Sequence, residues 1–355
     1  MNYTNEEQNL IVLANIEELT ERHKHRLAGF RDGEERKNYL IKNLPTGVYN
    51  IVENKFHDVI FRTQLLESLD KKGIKCVTFI SPDYPENLKH ADDPPLVLYC
   101  KGNVSLLKSN CFSVVGSRRT SPQAIALCRK ICGELTEAFT IVTGMAEGAD
   151  SAAIEGALPS GKIISVLANG FDYFYPATNK SLIEKVAKDG LLISEYPPHI
   201  PPLKFNFPLR NRIIAGLSRG TLVVSAGYKS GALITADLAL EYGREVFAFP
   251  YNAGVSSGAG CNNLIKNGAY LTENILDIFK AFGLDLKKSA QPALSEDERA
   301  VLDEIKISGE GFLPEIAQKL NKFTYQLIPV VMSLEIKGLI IRLGGNRYSS
   351  IIRGK

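Results

Sequence analysis

With 355 residues, of which 45% are hydrophobic and 23% charged, the chain has the size and composition of a soluble globular protein of two or three domains. Its net charge of +3 is too small to indicate a nucleic-acid partner by itself. No run of about 18 apolar residues suggests a membrane span, and the first residues lack a signal-peptide pattern. Six scattered cysteines form no C-x-x-C pair, so we predict a cytoplasmic protein with reduced thiols and no membrane partner.

The first part of the chain, residues 1–75, is polar with apolar residues at helical spacing, which predicts a small all-α domain. Residues 76–110 are rich in proline and tyrosine. Because X-Pro dipeptides favour extended backbone and turns, we predict that this segment is a connector between two domains.

Residues 111–282 alternate short apolar runs with helical segments, which predicts an α/β core with a mostly parallel sheet covered on both faces. We predict seven strands, at 111–115, 140–143, 162–167, 190–194, 220–225, 245–249 and 269–271. The predicted helices are 122–137, 150–158, 179–188, 210–217, 231–242, 261–267 and 273–282. Because the glycine-rich loops follow strands, we expect them to meet beyond the carboxyl ends of those strands.

The end of the chain reads as a polar linker, residues 283–294, followed by three short helices and a hairpin in residues 295–355. This order of elements predicts a winged helix-turn-helix domain. Pro329 falls inside the expected recognition helix, which carries few basic residues. Reading of a DNA major groove and docking of a protein both remain open for this helix.

The most informative motif is Gly116-Ser117-Arg118-Arg119, which lies between a predicted strand and a predicted helix. Free N–H groups and the dipole at a helix N-terminus favour an anion, and guanidinium groups bind phosphate in a bidentate manner. An ordinary turn with two solvated arginines explains the same residues. The motif fits neither the dinucleotide fingerprint nor the P-loop.

A second basic strip lies in 204–212, within the acid-free window 196–236; the first motif lies in another acid-free window, 94–133. Local positive charge of this kind, together with aromatic faces, is what single-stranded nucleic acid requires. The candidate residues of the strip are Lys204, Phe207, Arg210, Asn211 and Arg212. Phe207 could equally fill the protein core.

Two further loops carry candidate residues. Ser230 and Gly231 begin a predicted helix, where small residues either cradle a phosphate or allow close helix–sheet packing. Asp150 is placed to cap the helix that follows it. Histidines and carboxylates are sparse at this edge, so we predict no enzymatic activity, no cofactor and no metal.

Taken together, the motifs closely resemble those of the DprA/Smf family of DNA-processing proteins. The resemblance rests on eight ordered motifs, Gly-Ser-Arg-Arg-Thr at 116–120, Gly-Met-Ala-Glu-Gly-Ala-Asp at 144–150, Gly-Phe-Asp-Tyr-Phe-Tyr-Pro at 170–176, Ser-Glu-Tyr-Pro-Pro at 194–198, Phe-Pro-Leu-Arg-Asn-Arg at 207–212, Ser-Gly-Ala-Leu-Ile-Thr-Ala at 230–236, Arg-Glu-Val-Phe-Ala at 244–248 and Asn-Leu-Ile-Lys-Asn-Gly-Ala at 263–269. The chain departs from the family pattern at Ile154, where histidine is common, and at Ser225, where glutamate is usual.

This resemblance implies a sterile-alpha-motif-like N-terminal domain, an extended Rossmann-like core and a C-terminal winged helix. It also implies a homodimer, joined near the end of the core, that binds single-stranded DNA and loads RecA recombinase during natural transformation. The implied DNA-binding residues are Gly116, Ser117, Arg118, Lys204, Phe207, Arg210 and Arg212. The alternative is a nucleotide-binding enzyme or sensor of the lysine-decarboxylase-like (LOG) group, whose Pro-Gly-Gly-x-Gly-Thr loop we do not find in the sequence.

Overall fold

The computed structural model describes residues 3–30, 33–284 and 294–350. Most of the predicted linker, residues 285–293, lies outside the described residues. The N-terminal segment is helical, as predicted. Its helices are α1 (Asn5–Ala14), α2 (Glu21–Ala28), α3 (Gly33–Asn43), α4 (Thr46–His57) and α5 (Val59–Lys71).

A nine-stranded sheet follows these helices. Its strands are β1 (Lys75–Thr78), β2 (Val97–Gly102), β3 (Cys111–Val115), β4 (Thr140–Thr143), β5 (Ile163–Val166), β6 (Leu191–Ser194), β7 (Gly220–Val223), β8 (Glu245–Ala248) and β9 (Tyr270–Leu271). Their order across the sheet is β1-β2-β6-β5-β4-β3-β7-β8-β9. The strands from β6 to β9 in this order are parallel, whereas β1 and β2 are antiparallel to their neighbours.

All seven predicted strands are present, each within two residues of its predicted ends. The structure adds β1 and β2, which arise from the segment that we predicted to be a connector. Tyr99 of β2 pairs with Ser194 of β6, and the Tyr99 hydroxyl accepts a hydrogen bond of 2.7 Å from Asn15. This segment therefore extends the sheet, and its side chains contact the N-terminal helices.

Helices cover both faces of the sheet. They are α6 (Glu86–Lys89), α7 (Pro122–Leu135), α8 (Ala149–Ala157), α9 (Lys180–Asp189), α10 (Asn206–Leu217), α11 (Gly231–Glu241), α12 (Ala259–Lys266) and α13 (Ile275–Ala281). Successive strand residues point to opposite faces, so Val115 packs under α10 and α11 while Val114 packs under α7 and α8. This arrangement confirms the predicted α/β class. All six cysteines are buried and unpaired, in agreement with the predicted free thiols.

The C-terminal segment forms a separate small core. Its elements are α14 (Glu296–Ser308), β10 (Glu310–Phe312), α15 (Leu313–Lys319), α16 (Thr324–Ile336), β11 (Ile340–Gly344) and β12 (Arg347–Ser350). The three helices and the hairpin occur in the predicted order, and β10 adds a third strand beside β12. The assignment of this segment as a winged helix, like the sterile-alpha-motif assignment and the domain boundaries, stays a prediction. Among the described residues, no helix combines the length and the apolar character that crossing a bilayer requires.

Glu298 joins two helices of the C-terminal segment. Its carboxylate accepts hydrogen bonds from Lys337 at 2.6 and 2.7 Å, from the Ser333 hydroxyl at 2.6 Å and from the Ser295 N–H at 2.7 Å. These bonds, that of Lys337 foremost, lower the pKa of Glu298 from 4.5 to about 2. The carboxylate is therefore held in its ionised form by the fold.

This pKa predicts how the stability of the C-terminal segment depends on pH. A depressed carboxylate pKa contributes stability above about 4.5, and the contribution is lost as the pH falls from 4.5 towards 2. In the full chain, the hydrogen-exchange protection factors of residues 294–350, corrected for the intrinsic exchange rate at each pH, should fall as the pH drops over this range, and Glu298→Gln should remove most of that pH dependence. Glu296→Gln, at an exposed position in the same helix, is the control. An unchanged pH profile in Glu298→Gln would contradict the assignment.

Candidate nucleic-acid interface

The loops that follow the central parallel strands meet around one cavity of about 220 Å³. Arg118 reaches it from the loop after β3, Met145, Ala146 and Glu147 from the loop after β4, and Leu167, Ala168 and Asn169 from the loop after β5. The rest of the lining is supplied by Tyr175, Pro176, Phe207 and Arg210. The expected convergence of these loops is therefore confirmed.

The Gly-Ser-Arg-Arg motif forms a turn that is held by one hydrogen bond within the motif and one to Ser225. The Ser117 N–H donates to the Ser225 carbonyl at 2.8 Å, and the Ser117 hydroxyl accepts from the Arg119 N–H at 3.1 Å. These two N–H groups are thus already used, contrary to the expectation that the motif presents free N–H groups to an anion. The side chains of Arg118 and Arg119 are exposed, so they are the cations that the turn offers to a ligand.

Two glycines let the neighbouring loop pack against this turn. A Cβ on Gly116 would lie 2.6 Å from the Cβ of Ala149, so the residue is required for close approach of α8 to β3. Gly148 has a φ of +78°, and a Cβ there would lie 2.5 Å from the Arg118 carbonyl oxygen. Gly116 therefore has a packing role. The backbone of Arg118 is held in position by its contact with the loop that contains Gly148.

The basic strip begins in a loop and continues into α10, which starts four residues earlier than predicted. Lys204 is exposed, and the Phe205 side chain is 64% exposed. Phe207 is half-buried and lies with its ring centroid 5.2 Å from that of Tyr175, on the wall of the cavity. Sequence reasoning chose Phe207 and passed over Phe205, which is the more accessible ring. The signal for Phe205 was its position next to Lys204.

Arg210 is buried beneath the cavity and is only 7% exposed. It donates a hydrogen bond to the Val166 carbonyl, and its Nε lies 3.3 Å from Oδ1 of Asn211. The prediction that Arg210 contacts DNA is therefore revised, because its guanidinium already serves the protein interior. Its remaining role is to form the charged floor of the cavity.

Asp150 lies close to Arg210 in the same interior. Burial raises the pKa of Asp150 to about 6, although the positive charge of Arg210 acts in the opposite direction. A Cβ on Gly144 would lie 2.5 Å from Asp150 Oδ2 and 2.6 Å from Arg210 Nη1, so Gly144 makes room for both groups. The predicted capping role of Asp150 is wrong. The N-cap of α8 is Gly148, and Asp150 instead accepts from the Ala146 N–H at 3.2 Å.

Arg212 forms a two-pronged ion pair with Glu195. Its terminal nitrogens lie 2.6 and 3.2 Å from the two carboxylate oxygens, and the side chains are only 14% and 10% exposed. The positive charge of Arg212 is therefore neutralised inside the protein. We accordingly revise the predicted phosphate contact of Arg212 to a structural role.

Ser230 and Gly231 begin α11, as predicted, and Ser230 is its N-cap, accepting from the Ala232 N–H at 3.4 Å. Asn211 donates to the Gly231 carbonyl at 3.4 Å, which ties this loop to α10. The two residues just before the cap, Tyr228 and Lys229, are both exposed, Tyr228 to 75%. Sequence reasoning missed this pair, although an aromatic residue beside a lysine in a loop after β7 was a usable signal.

The interface thus contains three exposed cationic segments, centred on Arg118, Lys204 and Lys229, with exposed or half-buried aromatic rings beside two of them. The cations can bind phosphates, and the aromatic rings can stack on bases. Within the described residues, no group of three His, Cys, Asp or Glu side chains could hold a metal ion.

Comparison with known proteins identifies the family. Residues 75–283 match the family model of DNA recombination-mediator protein A. The chain belongs to this family. It is 44% identical over 200 residues to the DNA processing protein DprA of Streptococcus pneumoniae, covering 56% of this chain and 71% of the relative. It is also 37% identical over 276 residues to protein Smf of Escherichia coli, covering 74% of each chain. The predicted resemblance is confirmed.

Two solved structures of DNA processing protein A share the fold. The crystal structure of DprA from Streptococcus pneumoniae superposes with a TM-score of 0.62 at 34% identity, covering 79% of this chain and 98% of that one. DprA from Helicobacter pylori, whose structure was described for its single-stranded DNA binding mode, gives a TM-score of 0.54 at 31% identity. That match covers 59% of this chain and 95% of the Helicobacter chain.

Proposed function

We propose that this protein binds incoming single-stranded DNA in the cytoplasm, protects it and loads RecA recombinase onto it during natural transformation. The observation that carries the proposal is a cavity at the carboxyl edge of the sheet that is lined by Arg118 together with Phe207 and Arg210 of the basic strip. Membership of a family of recombination mediators supports the same conclusion. The single-stranded DNA binding mode described for the Helicobacter protein supports single-stranded DNA as the ligand.

The exposed groups are of two kinds, cations that can contact phosphates and aromatic rings that can contact bases. Arg118, Arg119, Lys204 and Lys229 are exposed, so they can contact phosphates without losing an internal partner that holds the fold. Phe205 and Tyr228 offer exposed ring faces, and Phe207 with Tyr175 lines the cavity. Rings stack on any base, so this site selects single strands over duplex with little preference for sequence.

The test is a binding titration with single- and double-stranded oligonucleotides of the same sequence at several salt concentrations. We expect tighter binding of the single strand, little dependence on sequence, and an affinity that falls linearly in logarithm with salt, since phosphate contacts release counterions. Equal or tighter binding of the duplex would contradict the proposal. Turnover of nucleoside monophosphates that is lost in Glu147→Gln would favour the enzyme alternative instead, because Glu147 lines the cavity.

A homodimer is the second part of the proposal. The edge strand β9 leaves Tyr270 and Leu271 43% and 46% exposed, and Leu276 of α13 is 58% exposed beside it. An apolar, unpaired sheet edge of this kind favours association with a second chain. Two linked sites also hold a longer tract of DNA, because the second contact becomes intramolecular.

Leu276→Glu should therefore disrupt this contact and lower the mass that sedimentation measures at micromolar concentration. A charge introduced into a buried apolar interface is left without a partner, which weakens association. Ile60→Glu, at a 69% exposed position on α5, is the matched control and should leave the mass unchanged. An unchanged mass in Leu276→Glu would place the dimer contact elsewhere.

A further inference from the structure

Helix α16 of the C-terminal segment exposes an apolar stripe. Leu327, Val331 and Leu334 point into the core of the segment. The opposite side of the helix carries Tyr325, Ile328, Met332 and Ile336, which are 67%, 47%, 55% and 85% exposed. Their spacing of three and four residues places them in one row along the helix. Phe323 extends the row, because its ring is stacked on that of Tyr325 with centroids 5.6 Å apart.

This row has no means of holding a nucleic acid backbone. Helix α16 contains no lysine or arginine. The nearest lysines on either side are engaged within the segment, Lys322 with Asp297 and Lys337 with Glu298. Phosphate contacts supply most of the affinity of DNA-binding helices, so the stripe does not fit a DNA groove. Its apolar character fits a protein surface of the same kind.

We propose that the stripe is a docking surface for α16 of a second copy of the protein, with the two helices antiparallel. Under the two-fold symmetry of such a pair, Ile328 lies opposite Met332, and Tyr325 lies opposite Ile336. Each uncharged side chain then meets an uncharged side chain, and the pair buries the exposed apolar side chains of α16. The stripe shares no residue with the lining of the cavity or with the β9 edge.

Charge complementarity selects a second copy in this orientation. Glu335 is exposed in the last turn of α16, where the negative end of the helix dipole disfavours a carboxylate. The first turn of the helix contains no acidic residue, so no carboxylate of the helix itself interacts with the positive end of the helix dipole. In the antiparallel pair Glu335 of one copy lies beside the first turn of the other. The carboxylate of Glu335, which is unfavourable at the end of its own helix, then interacts favourably with the positive end of the other helix. The two-fold symmetry repeats this interaction at both ends of the pair.

The test uses two full-length variants with one new cysteine each, Tyr325→Cys and Ile336→Cys. All six native cysteines are buried, so the new thiols are the accessible ones. The two positions are eleven residues apart, or about 16 Å along a helix. Under mild oxidation a mixture of the two variants should give a mixed disulfide, whereas each variant alone should give little product. Predominance of same-position products would overturn the antiparallel arrangement, and absence of any cross-link would overturn the contact itself.

A second measurement separates this contact from the proposed core dimer. In the Leu276→Glu background, wild-type α16 should still support association into pairs, and Met332→Glu should abolish it. Ile307→Glu, at a 78% exposed position on α14, is the control and should not change the mass. Association that persists in Met332→Glu, with unchanged circular dichroism, would overturn the proposal. Single-stranded DNA binding reports separately on the proposed function, because no residue of the stripe belongs to that interface.

Discussion

Replacing Arg212 by alanine is expected to lower the free energy of unfolding by about 3–5 kcal/mol, the usual cost of removing one partner of a buried ion pair. The guanidinium meets both carboxylate oxygens of Glu195, and both side chains are almost fully enclosed. Without it, the carboxylate stays in a site of low polarity with its main counter-charge gone. Urea unfolding of the full chain at neutral pH measures the loss.

The matched control replaces both partners, as Arg212→Met with Glu195→Leu. An apolar pair of similar volume leaves no unpaired charge, so most of the lost stability should return. The same proteins distinguish the two roles considered for Arg212. If Arg212→Ala unfolds like the wild type but binds single-stranded DNA much more weakly, the side chain leaves Glu195 to hold a phosphate, and the structural role is wrong.

Arg118→Ala and Lys204→Ala should give the largest losses of single-stranded DNA binding. Both side chains are exposed at the carboxyl edge of the sheet, and each removed phosphate contact should reduce the slope of log affinity against log salt by about 0.7. The double variant should lose about twice as much of the slope. Fluorescence anisotropy across a salt series measures slope and affinity together.

Two variants sharpen this experiment. Arg118→Lys keeps the charge but not the planar fork, so the salt slope should be retained while affinity recovers only in part. Lys71→Ala removes a lysine that is 80% exposed on α5, remote in sequence from the interface, and should change neither quantity. If Arg118→Ala and Lys204→Ala behave like Lys71→Ala, the DNA lies on another surface.

The seven strands and the helices from β3 to β9 could be predicted because their signals are local. Each is a short apolar run or an amphipathic stretch, and some of the helices also have a side-chain cap, such as Ser121 before α7 and Ser230 before α11. Strands β1 and β2 could not be predicted in the same way. β2 adjoins the prolines at 94 and 95, and it becomes a strand by pairing with β6, some 90 residues later in the chain. Only the assembled sheet decides such a pairing.

For the site, the sequence by itself determined which loops come together, since loops after parallel strands share one edge of a sheet. It also identified Arg118 and Lys204, which the structure leaves exposed. It could not distinguish Lys204 from Arg210 and Arg212, because all three are cations in one basic strip. Arg210 and Arg212 are separated by about 200° around α10. One meets the end of β5 and the other meets Glu195. Tertiary packing alone decided which cations pair with groups inside the protein and which remain exposed and able to contact a ligand.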